Sequence, residues 1–309
     1  MRRCGGVPGA GRRPAPTEIA RCLLSLFSEP IMILSVTEPT LISARPQLTD
    51  PRGFLLAAMA DLPLSMAIGW ALFRANLRAR QRRSALGYLW LLAPAAAATV
   101  ICTYLQSRRI VEIGSTQLPY AAHVLAGMLL WQIFVEALNA PLQQLTISRQ
   151  MMTRSRVPHE AIIIGGVFEV LLNGAIRLAV LAAAAAWFGV DFAPTILLVP
   201  LGAAALILLG LAFGMIILPW GLLYQDVGRA IALGTTLWFF LTPVFYRAPA
   251  GGLTRINPVT PLLDSTRSWI GPGGASAAFL PVTAGAAACL VLAWLFYRLA
   301  RPHVVARLG

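Results

Sequence analysis

Lysine is missing from this sequence of 309 residues: all 25 basic residues are arginine, 12 residues are acidic, and the formal net charge is +13. A Walker A loop places a lysine at the nucleotide phosphates, so its absence excludes an ordinary P-loop in this chain. Only three histidines and four cysteines occur, and the cysteines have neither metal-ligand nor redox spacing. We also find no Ser/His/Asp set and no paired carboxylates of the kind that active sites use. We therefore expect no catalytic, cofactor-binding or metal-binding residues in the chain.

Charge of either sign is scarce as well. Charged residues make up 12% of the chain, whereas soluble domains carry about 25%. Hydrophobic residues make up 58%, and the mean hydropathy is +0.72, so the composition predicts a membrane protein. A strongly basic chain can also bind nucleic acid. Here the arginines cluster at the borders of apolar runs, and we expect no nucleic-acid partner.

The densest arginine cluster predicts where the membrane region starts. Five arginines within residues 74–83 end at Gly87-Tyr88, and an uncharged apolar run follows to Gln106. A basic collar, an interfacial aromatic pair (Tyr88 and Trp90) and a run of about 19 residues are typical of a first transmembrane helix. Because dense arginine beside a span favours the cytoplasmic side, the collar also predicts a cytoplasmic N-terminal segment.

An amphipathic helix is predicted immediately before this span, at residues 62–83. Two stripes of side chains follow helical spacing on different faces. The apolar stripe is Met66, Trp70, Phe73 and Leu77, and the basic stripe is Arg74, Arg78 and Arg82. The direct attachment to a spanning segment favours a helix at the lipid interface, with its guanidinium groups toward the head groups, over an ordinary soluble surface helix.

We predict that residues 1–60 form a flexible, disordered extension, because their first part is rich in glycine, proline and arginine. A signal peptide is disfavoured, since Glu29-Pro30 interrupts the apolar run and no convincing cleavage site follows it. An over-extended reading frame, with Met59 or Met66 as the true start, is the alternative.

Six apolar runs are long enough to span a bilayer. They lie near residues 88–106, 121–142, 161–188, 194–223, 229–246 and 279–300. With a cytoplasmic N-terminus, nineteen arginines fall on the inner side and five on the outer side, as the positive-inside rule requires. We therefore predict an all-α integral membrane protein whose domain, residues 61–309, has six spans and both termini in the cytoplasm.

Polar side chains within these spans form what we call the polar strip. Its members are Glu136 and Asn139 in the second span and Glu169, Asn173 and Arg177 in the third. Because the two spans run antiparallel, we expect Glu136 and Glu169 at similar depth. Arg177 lies about 12 Å beyond Glu169 along the helix axis, a gap that Asn173 could bridge. Such groups are costly in lipid, so the strip indicates a substrate path, a dimer seam or an interhelical network.

Aromatic side chains recur in the second and fifth spans. Sugars stack on aromatic faces, so these side chains are candidates for lining a glycan conduit. The candidates are Trp131, Phe134, Phe239 and Tyr246. Packing within the bundle and an aromatic belt at the interface are the alternatives.

Two connecting segments are too long for tight turns. Residues 145–160, on the cytoplasmic side, mix arginine with methionine and valine, and Pro158 suits the first turn of the next helix. Glu160 is expected to stabilise that turn at the positive end of the helix dipole. Residues 247–278, on the outer side, contain four prolines and an amphipathic piece at 262–270, which predicts a short re-entrant helix.

Seven features in a fixed order carry a family resemblance over about residues 65–305. They are the basic helix and the segments SALGYLWLLAP, LAGMLLWQIFVEALN, RSRVPHEAI, LLYQDVGRAI, LTPVFY and NPVTPLLDSTR. In this order the sequence resembles the permease subunit of type-2 ABC exporters. The most similar branch exports polysaccharides, O-antigen and teichoic acids.

The resemblance implies a homodimer of permeases in the cytoplasmic membrane of a bacterium, with two separate nucleotide-binding subunits that hold ATP and magnesium. It also implies that residues 66–83 are a gate helix beside which a lipid-linked glycan is admitted. Trp70 and the three stripe arginines, Arg74, Arg78 and Arg82, would then meet the lipid pyrophosphate, since guanidinium groups match phosphate oxygens. Finally it implies a coupling loop that docks on the ATPase. The residues of that loop are Met152, Arg154, Arg156, Val157, Pro158, His159 and Glu160.

The sequence departs from the family pattern at two cytoplasmic corners. Family members commonly carry arginine where this chain has His159 and Gln225. Two other functions stay open: export of a small drug or lipid, and a membrane-embedded glycosyltransferase. The glycosyltransferase should show acidic residues in an outer loop, where Asp264 is weak support. Neighbouring genes would discriminate between these functions.

Overall fold

The computed structural model describes residues 51–83, 88–108, 118–148, 157–190, 193–246, 254 and 256–308. Within these ranges the chain forms eight α-helices and one 3₁₀ helix, with no β-strand. The α-helices are α1 (Pro51–Arg83), α2 (Leu89–Ser107), α3 (Tyr120–Ile147), α4 (His159–Trp187), α5 (Val199–Leu223), α6 (Asp226–Leu241), α7 (Val259–Ser268) and α8 (Phe279–Leu308). The 3₁₀ helix, Pro194–Leu198, leads directly into α5.

Five helical segments are long and apolar enough to cross a membrane. They are Leu89–Ser107, Tyr120–Ile147, His159–Trp187, Pro194–Leu223 and Phe279–Arg301. By helix length and hydropathy the chain is therefore a multi-pass membrane protein with an all-helical fold in its described part.

The predicted helical span at 229–246 extends five residues beyond the end of the helix in the structure. In the structure α6 ends at Leu241, and Thr242 is extended, with φ −95° and ψ 133°. Pro243 explains this end, because a proline disfavours the helical conformation of the residue before it. The 16 residues of α6 cover about 24 Å, less than the ~30 Å of a hydrocarbon core.

The first helix begins earlier than predicted. Residues 51–60, which we assigned to the flexible extension, are the first turns of α1, while residues 1–50 lie outside the described residues. The face that α1 turns toward α4 is Ser65, Gly69 and Phe73, all buried at four-residue spacing. Met66 and Trp70 of the predicted apolar stripe are about half exposed, at 52% and 45%.

Small residues allow α1 and α4 to approach closely. A Cβ atom on Gly69 would lie 2.8 Å from the Ala161 carbonyl oxygen, and one on Gly165 would lie 3.2 Å from the Gly69 carbonyl oxygen. Helices in membranes commonly pack through such small residues, because no water is released to drive their association. The aromatic rings of Trp70 and Phe168 then meet edge to face, with 5.2 Å between centroids.

Helix α3 is the centre of the bundle and the most buried of the five membrane segments. It packs closely on α5 through glycines, since a Cβ atom on Gly210 would lie 2.6 Å from the Phe134 carbonyl oxygen. Helices α2 and α8 lie at the periphery, and their exposed side chains include Val100, Ile101 and Leu292. In a multi-pass membrane protein such apolar faces suit contact with lipid.

Candidate functional site

Three members of the polar strip bond to one another between α3 and α4. Asn173 Nδ2 donates a hydrogen bond to Glu136 Oε1, and Arg177 Nη1 forms an ion pair with Glu136 Oε2. Arg177 is 5% exposed and Asn173 is 2% exposed. Asn139 stays apart, because its amide donates to the Val135 carbonyl of its own helix at 2.8 Å. This part of the strip is an interhelical network.

Glu169 belongs to a different set of contacts from the one we predicted. Its carboxylate accepts hydrogen bonds from Arg80 Nη1 of α1 at 2.7 Å and from Gln144 Nε2 of α3 at 2.9 Å. Arg177 therefore pairs with Glu136, and no bridge through Asn173 to Glu169 forms. Glu136 lies at the same height in the bundle as Asn173 and Arg177. These residues are one to two helical turns further along α4 than Glu169, so the two glutamates are not at similar depth.

Arg80 is the residue of this site that the predicted site omitted. It lies seven positions after Phe73, on the face of α1 that meets α4, and not on the exposed stripe of Arg74 and Arg78. That spacing was available in the sequence, since residues seven apart share a helical face. We assigned Arg74, Arg78 and Arg82 to the lipid interface and counted Arg80 only as one charge of the basic collar.

A small, partly open cleft of about 10 Å³, room for roughly one water molecule, lies beside the Arg80–Glu169 pair. Its lining is Phe73, Asn76, Leu77, Arg80, Tyr88, Glu169, Leu172 and Asn173. The Arg80 guanidinium carbon also lies 5.9 Å from the Tyr88 ring centroid. The cleft thus combines one cation, one carboxylate and two amides at the junction of α1 with α4.

Arg74 and Arg78 of the basic stripe do not line this cleft. Arg74 and Arg78 are exposed, and the Arg74 guanidinium carbon lies 5.9 Å from the Trp70 ring centroid. The side chain of Arg82 lies outside the described residues. Arg74 and Arg78 are therefore accessible to a head group, as the amphipathic pattern predicted.

The predicted coupling loop, residues 145–160, is described only at its two ends, and residues 145–147 belong to α3. Met152, Arg154 and Arg156 lie outside the described residues, whereas Val157 and Pro158 lead into α4. His159 and Glu160 were predicted to belong to the docking surface, but both are buried, at 9% and 6% exposed.

His159 and Glu160 are buried because both side chains contact α8. Glu160 Oε1 lies 3.2 Å from Arg298 Nη1, and His159 Nδ1 lies 3.0 Å from the Tyr297 hydroxyl oxygen. Glu160 stands in the first turn of α4 but makes no capping hydrogen bond. Glu160 therefore lies in the first turn of α4, as predicted, but its carboxylate pairs with Arg298 and does not cap the helix.

The predicted conduit aromatics pack against one another inside the described chain. Trp131 is 6% exposed and Phe134 is fully buried, with 5.3 Å between their ring centroids. Phe239 lies 5.7 Å from the Trp131 ring, and the Tyr246 hydroxyl donates to the Phe240 carbonyl at 3.3 Å. Within one copy of the chain these rings hold α3 and α6 together. They therefore pack the bundle, which was the alternative to lining a glycan conduit.

The buried side chain of Arg267 holds α7 in place. From the sequence we had counted this arginine only as a charge on the outer side of the membrane. Arg267 Nη1 donates to the Pro243 carbonyl at 3.2 Å and lies 3.0 Å from His123 Nε2, and Nη2 donates to the Val244 carbonyl at 3.1 Å. Burial lowers the pKa of Arg267 to about 10, an effect that the Asp264 carboxylate partly opposes, so Arg267 stays charged at neutral pH. Helix α7 is thereby tied to the chain that follows α6.

The described residues contain no cluster of three or more His, Cys, Asp or Glu side chains able to hold a metal ion. No protein-family model matches the sequence, and no curated protein matches it significantly. The fold and the polar contacts define a multi-pass helical membrane protein, and the resemblance to exporter permeases stays a prediction.

Proposed function

We propose that the chain is the transmembrane permease subunit of an ATP-driven ABC exporter, which moves a lipid-linked glycan across the cytoplasmic membrane of a bacterium. The observation that carries this proposal is the placement of α1. An arginine-rich amphipathic helix packs on membrane helix α4 through Gly69 and lays Arg80 against Glu169 of the polar strip. A basic helix predicted to lie at the lipid interface, beside a polar cleft, suits a substrate with a charged head and a lipid tail.

The chemistry of the cations supports a phosphate-bearing head group. Arg74 and Arg78 are exposed on one side of α1, and Arg80 stands 43% exposed at the cleft. Guanidinium groups form paired, charge-assisted hydrogen bonds with phosphate oxygens. We infer that the pyrophosphate of the lipid-linked glycan first meets the exposed arginines and then exchanges with Glu169 at Arg80.

The energy source lies on another subunit. The chain has no lysine and therefore no ordinary P-loop, so ATP and magnesium belong to a separate nucleotide-binding subunit. We propose that residues 148–157 dock on that subunit and that two permease copies assemble. A sixth crossing would be made by α6 together with residues 242–246. ATP-driven closure of the partner subunits would then shift the packed helices.

The glycosyltransferase alternative draws little support from Asp264. Its carboxylate lies 3.7 Å from the buried Arg267 guanidinium, where it acts as a partner for that charge. Export of a small drug or lipid would use the same α1 cleft. The compound that stimulates the ATPase distinguishes this function from export of a lipid-linked glycan.

The test is co-purification with the ATPase subunit, followed by hydrolysis assays with candidate lipid-linked glycans. We expect a stable complex whose ATPase activity rises with the right glycan. Met152→Asp with Val157→Asp should dissociate or uncouple the ATPase, because two carboxylates enter an apolar docking patch. The matched control is Ser115→Asp with Thr116→Asp, which adds the same charge to the loop predicted on the outer side. If the wild-type chain binds no ATPase, the proposed function is wrong.

A further inference from the structure

Three helices meet at one guanidinium group near the start of α4. Arg298 of α8 lies 3.2 Å from Glu160 Oε1 of α4 through Nη1, and its Nη2 pairs with Asp61 Oδ2 of α1. The side chains of Arg298 and Glu160 are 14% and 7% exposed, whereas that of Asp61 is 56% exposed. We call these three residues the Arg298 junction.

A second contact makes the α4–α8 side of the junction stiff. His159 Nδ1 lies 3.0 Å from the hydroxyl oxygen of Tyr297, which is 1% exposed. Two consecutive residues of α4 are thus held by two consecutive residues of α8. Both belong to the first turn of α4, which follows Pro158 and the proposed coupling loop without a gap. Glu160 is therefore the member of the junction that is nearest to that loop in sequence.

The α1 side of the junction is different. Asp61 is exposed and bonds to the junction through its carboxylate alone. One guanidinium group pairs with two carboxylates from two helices, so loss of the Asp61 contact would remove the ion pair between α1 and the junction and leave the Arg298–Glu160 pair intact, while Gly69 still packs against Ala161 of α4. The Arg298–Asp61 contact is a charge-assisted hydrogen bond that one substitution removes.

We propose that the Arg298 junction transmits motion from the coupling loop to α1, with Arg298 as the positioning residue and Asp61 as the contact on α1. This inference rests on the proposed function and deepens it. Motion of the docked loop shifts Glu160, Arg298 follows, and Asp61 carries α1 with it, so that the cleft at Arg80 opens or closes in step with ATP hydrolysis.

The test compares Asp61→Asn, Asp61→Glu and the control Asp226→Asn in the complex of the chain with its ATPase subunit. Asp226 forms an exposed pair with Arg229 at 3.2 Å, so its substitution removes a carboxylate that is more exposed than Asp61 and lies away from the junction. The readout is the number of glycan molecules transported per ATP hydrolysed, measured together with ATPase binding, basal hydrolysis and thermal unfolding.

We expect Asp61→Asn to bind the ATPase and hydrolyse ATP as the wild type does, but to transport about tenfold less per ATP, a usual size for coupling between sites. Asp61→Glu should restore most of the ratio, and Asp226→Asn should not change it. Arg298→Gln should show the same loss together with a lower unfolding temperature, because Glu160 is left buried without its partner.

Two results would overturn the inference. One is an unchanged transport ratio in Asp61→Asn. The other is a loss of thermal stability in Asp61→Asn that matches the loss of transport and is not rescued by Asp61→Glu. That result would mean that the junction only stabilises the fold. Either result leaves the proposed function standing when the wild-type complex couples transport to hydrolysis.

Discussion

At the scale of single residues, the bundle depends on charges that are buried with their partners. Glu136 and Arg177 form such a pair, with side chains 23% and 6% exposed. Removing one member of a buried pair leaves an uncompensated charge, whereas removing both can be nearly neutral. The pair therefore makes a strong prediction about single and double substitutions.

Arg177→Met should destabilise the protein by about 3–5 kcal/mol, because Glu136 loses its ion-pair partner inside the bundle. Arg177→Met with Glu136→Met should recover much of that loss. Arg229→Met is the control and should change little, since its pair with Asp226 is exposed. The measurement is unfolding in detergent micelles. A single variant as stable as the wild type would contradict the buried-pair account.

Arg267→Leu should release α7 from the rest of the bundle. The substitution removes hydrogen bonds from a charged group to the Pro243 and Val244 carbonyls, each worth about 1.5–3 kcal/mol. We expect amide hydrogen exchange in residues 257–268 to accelerate, while exchange in α3 stays slow. Arg255→Leu, in the same predicted outer segment, serves as the control. Unchanged exchange in α7 would show that Arg267 does not hold the helix.

The sequence predicted which residues form the polar strip but not how they pair. A polar group in an apolar span needs a partner, so membership followed from composition alone. The pairing depends on the relative height of α3 and α4, which the linear sequence does not contain. For the same reason Arg267 and Arg298 were counted only as charges on one side of the membrane, although the structure buries Arg267 and gives Arg298 two partners.

At the scale of helices, α1 shows what hydrophobic periodicity misses. The largest apolar side chains predicted a stripe of Met66, Trp70, Phe73 and Leu77, of which Trp70 and Phe73 do pack on Phe168 of α4, but the closest approach to α4 is made by Gly69. Small residues score low in an apolar pattern and are favoured where two membrane helices meet. The end of α6, by contrast, was readable from the sequence, since Pro243 marks it.

Gly69→Val tests the close contact of α1 with α4. The new side chain would meet the Ala161 carbonyl oxygen, and overpacking of this kind costs about 1–3 kcal/mol. We expect a lower unfolding temperature and reduced transport. Gly234→Val is the matched control, because a Cβ atom there has no neighbour within 4 Å. Equal effects of the two substitutions would argue against a tight α1–α4 contact.

At the scale of the whole molecule, the sequence predicted the class and the positions of five membrane helices, because apolar length decides both. It did not predict that α3 would be central, since every span is apolar and burial depends on neighbours. Orientation in the membrane follows from the arginine distribution and stays a prediction.

Single cysteines at positions 154, 255 and 307 test that orientation. In a chain without its four native cysteines, an impermeant thiol reagent should label intact cells only at position 255, which the positive-inside rule places outside. After the cells are opened, all three positions should react. Labelling of position 154 in intact cells would reverse the topology and remove the basis for a cytoplasmic coupling loop.

The central claim is that the chain moves a lipid-linked glycan when a partner subunit hydrolyses ATP, and reconstituted transport tests it most directly. The chain and its ATPase subunit are placed in proteoliposomes that contain the lipid-pyrophosphate-linked glycan, and a membrane-impermeant probe reports glycan on the far side. We predict that the signal appears with ATP, and that it is lost with a hydrolysis-deficient ATPase subunit or with Met152→Asp and Val157→Asp. Vigorous, glycan-independent ATP hydrolysis without translocation would contradict the account, and so would translocation that needs no ATP.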